Sequence, residues 1–256
     1  MFGRLLKSLK TEKTVVPASI PDGMRVYAIG DIHGRNDLLV ILLDMIKQDM
    51  ASAPNLQHHI IFLGDLVDRG DSSADVIDTC INLQKSEKNA RFIAGNHEEV
   101  FVKAYRKGDA KTLRFFLRIG GKETLLSYPI SKAEFMSLDY EELADRIKTL
   151  IPEEHIIFME NFEDMIVIGD YAFVHAGVRE DRPLQDQKTS DLRWIREDFL
   201  SYQGNYEKKI IYGHTIYDDV EEGHARIGID TGAYKSGILT AIVLEGSTSH
   251  YLQTGK

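Results

Sequence analysis

Five short segments, each placed directly after an apolar run, constrain this chain more than anything else in it. They read Gly30-Asp31-Ile32-His33-Gly34, Gly64-Asp65-Leu66-Val67-Asp68-Arg69-Gly70, Gly95-Asn96-His97-Glu98, His175-Ala176-Gly177 and Gly213-His214-Thr215. The runs before the first three, Arg25 to Ile29, His59 to Leu63 and Arg91 to Ala94, have the length and apolar content of buried strands. Helical patterns follow them. Leu38, Leu39, Leu42, Leu43 and Ile46 form an apolar stripe that Asn36 or Asp37 can cap, and Ser72 or Ser73 can cap a helix reaching about Lys85. Strand, loop and helix repeated in this order predict parallel strands covered by helices. The polar loops then gather at the carboxyl ends of the strands.

The stretch from Glu98 to about Glu160 is helical in pattern and carries no cluster of metal-ligand side chains. It can be a cap that shapes access, a layer covering a sheet, or both. Beyond Phe162 the chain turns strand-rich. Met165 to Ile168 and Tyr171 to Val174 flank the turn signal Gly169-Asp170 and predict a hairpin. Further strands are expected at Lys209 to Tyr212, Arg226 to Ile229, Ile238 to Leu244 and His250 to Gln253, with a turn at Gly246-Ser247. The expected architecture is α/β, with two packed sheets and helices outside. Residues 1–23 read as tail and linker, residues 24–256 as one domain, and about 100–160 as a helical cap insertion.

A chain of 256 residues can bury a sizeable core. Its formal net charge of -9 argues against nucleic acid as a partner, because phosphate backbones are held by clustered Lys and Arg. The single cysteine, Cys80, excludes an intrachain disulfide and fits a reducing, cytoplasmic setting. It lies in a helical run and reads as a core residue. No apolar run reaches membrane-spanning length. Phe2, Leu5, Leu6 and Leu9 alternate with Arg4, Lys7 and Lys10 at helical spacing. That segment reads as a frayed tail, with weak contact to a membrane surface as the sharper alternative.

The side chains in the five segments form a working set. Asp31 and His33 stand two apart at a strand end, where side chains point the same way and can meet one ion. Asp65 has two carboxylate oxygens and can bridge to a second ion completed by Asn96, His175 and His214. Mixed nitrogen and oxygen donors suit manganese, iron or zinc better than calcium. Two such ions lower the pKa of a bridging water and clamp phosphoryl oxygens, so the resulting hydroxide can attack phosphorus in line. His97 is then the expected general acid. Asp68 is expected to orient it and keep it protonated. Arg69 offers a planar fork for phosphate oxygens. The histidines His58, His59, His155, His224 and His250 lack this context and read as ordinary residues.

The first three segments resemble the signature of the phosphoprotein phosphatase family of calcineurin-like metallophosphoesterases, from about Met24 to Leu244. Within it they resemble the bacterial serine/threonine protein phosphatase branch that includes the bacteriophage lambda enzyme. The resemblance implies an α/β/β/α sandwich of two mixed sheets. It implies two divalent ions, manganese first, one on Asp31, His33 and Asp65 and the other on Asp65, Asn96, His175 and His214. It also implies His97 with Asp68 as the acid pair and phosphate contacts from Arg69, Asn96 and a second arginine. In Asp191-Leu192-Arg193-Trp194-Ile195-Arg196 that arginine is Arg196, with Arg193 the runner-up and Arg179 and Arg182 behind. Arg35 follows the first segment and can also approach substrate. The family's His-Gly-Gly appears here as His175-Ala176-Gly177, with the ligand intact, and Ile229-Asp230-Thr231-Gly232-Ala233-Tyr234 resembles a closing loop of the bacterial branch.

Three functions compete on this reading. The first is a phosphomonoesterase acting on phosphoserine or phosphothreonine, or phosphotyrosine, in a protein or peptide partner. The second is a symmetrical dinucleoside tetraphosphate hydrolase, which uses nearly the same metal chemistry. The third is a non-catalytic phosphate-binding regulator. The segments Gly120 to Tyr128 and Pro152 to His155 resemble the protein phosphatase branch and favour the first. A nucleotide hydrolase needs an aromatic or apolar slot for its base, and the sequence does not show whether the cap builds one.

Overall fold

Strand β1 (Met24–Ile29) lies between two hydrophobic cores, and its alternation generates the layers. Val26 and Ala28 face one core, while Tyr27 and Ile29 face the other. Because side chains on a strand alternate with period two, a central strand buried on both faces must be apolar at successive positions. The computed structural model describes residues 17–255. The basic segment Met1 to Lys10 and the first part of the expected linker lie outside the described residues.

Two five-stranded sheets form the middle of the molecule. The first has β1, β2 (Gln57–Phe62) and β3 (Ala90–Phe92) as parallel neighbours, joined on the far side of β1 by antiparallel β9 (Thr240–Glu245) and β10 (Thr248–Gln253). The second has the order β4 (Met165–Ile168), β5 (Tyr171–Val174), β6 (Lys209–Tyr212), β8 (Arg226–Gly228) and β7 (Glu221–Glu222). The β4–β5 hairpin is antiparallel and turns at Gly169-Asp170 as expected, whereas β5, β6 and β8 run parallel. The two-residue strand β7 has no apolar pattern of its own and is not legible in the sequence; pairing with β8 creates it.

Between the sheets lie Val26, Ala28, Ile61, Leu63, Ile93, Phe173, Ile211, Ile227 and Ile242. Helices α1 (Asn36–Ser52) and α2 (Ser73–Ser86) cover the outer face of the first sheet. The stripe on α1 is buried at Leu38, Leu39, Leu42 and Ile46. Cys80 is buried in α2, and burial pushes its thiol up. The expected caps are not made. Neither Arg35, which precedes α1, nor Ser72, which precedes α2, caps with its side chain. Asn36 instead accepts from Thr79 Oγ1, and Ser73 accepts from the Asp68 amide. These side chains tie helix starts to neighbouring loops.

Helices α3 (Asn96–Lys107), α4 (Ala110–Phe116), α5 (Lys122–Leu126), α6 (Lys132–Ser137), α7 (Tyr140–Leu150) and α8 (Glu153–Glu160) fill the predicted helical region. A π-type turn, Leu117–Gly121, joins α4 to α5. The outer face of the second sheet packs Ala172, Val174, Ile210 and Tyr212 against Leu192, Ile195 and Phe199. The last three lie on or beside the short helices α9 (Thr189–Trp194) and α10 (Glu197–Ser201). A final turn of helix, α11 (Ala233–Ser236), follows the closing loop. No helix among the described residues is long and apolar enough to cross a membrane.

Candidate metal centre

Five non-glycine residues among those described have positive φ, and all five belong to the predicted segments. They are His33 (47°), Asp65 (49°), Asp68 (73°), Arg69 (70°) and His214 (64°). This left-handed backbone is costly for residues with a Cβ and persists where surrounding structure over-determines it. The sharp turns aim the side chains inward at the ends of β1, β2 and β6. Two glycines permit the close approach. A Cβ on Gly213 would stand 2.1 Å from Asp31 Oδ1, and one on Gly95 would stand 2.2 Å from Asp65 Oδ1.

Asp65 is the hub. Its Oδ2 lies 3.6 Å from His33 Nε2 and 3.8 Å from His97 Nε2, and its Oδ1 lies 3.4 Å from His175 Nε2. The two oxygens of one carboxylate thus face separate imidazole groups. Two donor sets result, His33 with Asp65 and His97, and Asp65 with His175 and His214. Asn96 Oδ1 joins the second at 3.0 Å from His175 Nε2. Asp31 is held a little apart. Both its oxygens accept from the His214 amide, at 3.1 and 3.0 Å. The structure therefore brings Asp31, His33, Asp65, Asn96, His97, His175 and His214 into one buried region. It adds His97 to the first donor set, where the sequence reading has Asp31.

The donor chemistry fits divalent ions. Burial holds His175 down to about 4, so it is neutral, and its one proton points from Nδ1 to the Leu63 carbonyl at 2.8 Å. The lone pair on Nε2 then faces Asn96 Oδ1 and His214 Nδ1, the latter at 3.1 Å. His33 repeats the pattern: Nδ1 donates to the Val67 carbonyl at 2.8 Å, and Nε2 is buried without a partner. Such second contacts fix the tautomer of metal-binding histidines. His214 Nε2 and Asp230 Oδ2 are also buried and unpartnered. Burial lowers His33 and His214, while burial and the neighbouring carboxylates raise Asp31 and Asp65. Converging lone pairs and crowded carboxylates without compensating donors are what a cation stabilises.

His97 and Asp68 pair beside this centre. His97 Nδ1 is 2.6 Å from Asp68 Oδ2, and Arg69 Nη2 is 3.0 Å from His97 Nε2. Burial lowers His97 and lifts Asp68 to about 8. The expected imidazolium is therefore disfavoured in this arrangement, because an Arg donor occupies Nε2 and desolvation opposes separated charges. Thr124 fixes Asp68 from the helical region: its hydroxyl donates to Asp68 Oδ1 at 2.6 Å and accepts from the Asp68 amide at 2.8 Å. The Arg69 amide donates to the Gly120 carbonyl at 3.1 Å. The segment Gly120 to Thr124 thus braces the second motif.

Among the candidate arginines, Arg193 is bound by Asp164 and Glu99, Arg179 by Asp198 and Asp181, and Arg182 by Asp181. Arg35 turns to Asp37 and the Ala233 carbonyl. Arg196 makes no salt bridge among the described residues, and its charge helps to lower His97, His175 and His214. Arg69 also stands over the ring of Tyr234, 4.9 Å from its centroid.

Two residues of the site are not singled out by the sequence reading. Glu98 is buried, and its carboxylate accepts from the amides of Asp65, Leu66, Val67 and Gly95. Its place in Gly95-Asn96-His97-Glu98 is the available signal, and an acid buried beneath a strand end is the physical reason for it. Asp230 is buried beside Asp31 and shows in the sequence only as part of the closing loop. Of the five histidines read as ordinary, His155 is buried between Tyr128 Oη and Asp78, at 2.9 and 3.0 Å, as a satisfied core residue.

Comparison with known proteins agrees with this geometry. The profile of the family described as Calcineurin-like phosphoesterase matches residues 24–225. The asymmetrical bis(5'-nucleosyl)-tetraphosphatase PrpE of Halalkalibacterium halodurans is 30% identical over 241 residues, which are 86% of this chain and 89% of that protein. The crystal structure of a candidate diadenosine tetraphosphatase superposes with a TM-score of 0.63 at 20% identity, covering 92% of this chain and 98% of the other. A cold-active protein tyrosine phosphatase superposes with a TM-score of 0.57 at 20% identity, covering 92% and 81%. At that identity the two superpositions show the fold and leave substrate open.

Proposed function

Since the chain belongs to the calcineurin-like phosphoesterase family and is a metallophosphoesterase hydrolase, we propose that it hydrolyses dinucleoside tetraphosphates asymmetrically, with two divalent ions, manganese first. The observation that carries the two-ion centre is the division of Asp65, whose two oxygens face His33 and His175 separately. The choice of substrate is supported by the named activity of the relative at 30% identity. It replaces the preference for phosphoproteins drawn from the cap segments alone. Phosphoserine and phosphothreonine peptides remain the alternative substrates to be tested.

Asp31, His33 and Asp65 would hold one ion, and Asp65, Asn96, His175 and His214 the other. When bound, the ions supply an activated water and neutralise charge on the phosphoryl oxygens. Arg69 and Arg196 grip those oxygens from the open side, and Asn96 lies beside them. As substrate draws the Arg69 guanidinium from His97 Nε2, the freed lone pair takes up a proton from water, and Nε2 can then protonate the leaving oxygen. Asp68, lifted to about 8, takes the Nδ1 proton in that state and returns it as Nε2 gives up its own. The helical segment of about 100–160 acts as the cap, with Thr124 and Gly120 transmitting its position to Asp68 and Arg69.

Chromatographic analysis of products tests the proposal. With manganese, diadenosine tetraphosphate should give AMP and ATP. Two molecules of ADP would make the enzyme symmetrical. A higher kcat/KM on phosphoserine peptides than on the nucleotide would overturn the substrate assignment.

A further inference from the structure

On the premise that the substrate is a dinucleoside polyphosphate, a groove along α3 has no role in the chemistry described above and has the right composition for the rest of such a molecule. It is lined by Val100, Lys103, Lys107, Lys111, Phe115 and Trp194, with Glu99, Asp109 and Thr112 also at its wall, and encloses about 430 Å³. The rings of Phe115 and Trp194 have centroids 6.4 Å apart and are tilted by 33°. Trp194 is 36% exposed, so part of its indole is open to the groove.

The wall is held in place. Trp194 Nε1 lies 3.4 Å from Glu99 Oε2, and Arg193 ties the same carboxylate to Asp164. Arg118 stands over the Phe115 ring, 5.1 Å from its centroid. Both acids of the groove are committed within the protein. Glu99 pairs with Lys103, and Asp109 accepts from the Thr112 amide and hydroxyl. Lys107 and Lys111 make no salt bridge among the described residues, so they supply the groove's uncommitted charge.

Its position joins it to the metal centre at two points. Helix α3 begins with Asn96 and His97, and with a rise of about 1.5 Å per residue Lys103 lies about 9 Å and Lys107 about 15 Å further along the axis than His97. On the other side, Trp194 precedes Arg196 by two residues. A molecule gripped by Arg69 and Arg196 at its scissile phosphoryl group can therefore extend along α3.

We propose that this groove is a subsite for the distal nucleoside of a dinucleoside polyphosphate, with the base stacked on Trp194 and Phe115 and the adjoining phosphates met by Lys107 and Lys111. Aromatic platforms with flanking cations bind bases through their faces with little dependence on base identity. The subsite is thus one for adenine and guanine nucleotides alike. It supplies the aromatic slot that the sequence did not reveal.

Trp194 is the chain's only tryptophan, so its fluorescence reports on this groove directly. Titration of the full chain, in the presence of manganese, with AMP, ATP, inorganic phosphate and a phosphoserine peptide reads the subsite without turnover of a dinucleotide. AMP and ATP should quench saturably, and phosphate and the peptide should not. Phe115→Ala should weaken that quenching, and raise KM for diadenosine tetraphosphate, by about tenfold, leaving turnover of p-nitrophenyl phosphate unchanged. The surface variant Lys107→Ala/Lys111→Ala should raise KM in the same selective way. Quenching by phosphate or peptide equal to that by AMP would overturn the subsite. So would an unaltered KM for diadenosine tetraphosphate in both variants. Failure of the wild-type chain to hydrolyse diadenosine tetraphosphate at all would instead overturn the substrate assignment on which the subsite rests.

Discussion

His97 Nδ1 lies 2.6 Å from Asp68 Oδ2 with both side chains buried, and Arg69 Nη2 meets the other ring nitrogen at 3.0 Å. An acid pair placed this way serves only leaving groups that need a proton. His97→Ala should lower kcat on an alkyl phosphate such as a phosphoserine peptide by about 100-fold or more. Loss on p-nitrophenyl phosphate should be much smaller, because its leaving group is stable as an anion. Steady-state kinetics on both substrates checks this, and equal losses would remove His97 from the acid role.

The same pair sets a pH limb. Asp68 is raised to about 8, so it carries its proton below that value and gives it up as pH rises through it. Turnover of substrates with poor leaving groups should fall across that window. Asp68→Asn should have lower activity and lack the limb. A pH–rate profile of the wild-type chain that stays flat between pH 7 and about 9 would contradict the assignment.

Glu98 accepts four backbone hydrogen bonds that hold the Asp65 loop against Gly95. In Glu98→Gln the amide group replaces an acceptor by a donor facing N–H groups, leaving buried donors unpaired. Stability should fall by about 3 kcal/mol, and metal affinity should fall with it as Asp65 loses its position. Chemical denaturation and calorimetric metal titration would measure the two effects. An unchanged midpoint would show that the loop does not depend on Glu98.

Metal binding should release protons. Burial and the neighbouring carboxylates raise Asp31 and Asp65 above the usual carboxylate range, and a cation must displace the protons they hold there. Raised carboxylate pKa values mean that affinity increases as pH rises through that range. Calorimetry in buffers of different ionisation enthalpy would count the protons. Affinity independent of pH would show that the carboxylates are already ionised.

The motif residues are legible because they sit at strand ends, where a short apolar run followed by Gly and a ligand type seldom serves anything but a functional turn. The β4–β5 hairpin is equally plain from Gly169-Asp170. What the sequence hides depends on contacts between distant segments. The cap of α1 differs from expectation because Asn36 has a partner in Thr79, 43 positions away. Strand β7 exists only because β8 lies beside it. The partnership of Thr124 with Asp68 joins the helical region to the second motif, and no local pattern marks it. The ion pairs that Asp164 and Glu99 make with Arg193, which the sequence does not show, leave Arg196 the freer of the two.

Asp65, with one oxygen towards His33 and the other towards His175, is placed to join two ions in one site. Metal analysis of the purified chain after equilibration with manganese, paired with the Asp65→Asn variant, tests it most directly. The wild-type chain should hold two ions, and the variant should lose both tight binding and phosphoesterase activity. Full activity with one ion or none, or an Asp65→Asn chain that retains two ions and turns over normally, would contradict it.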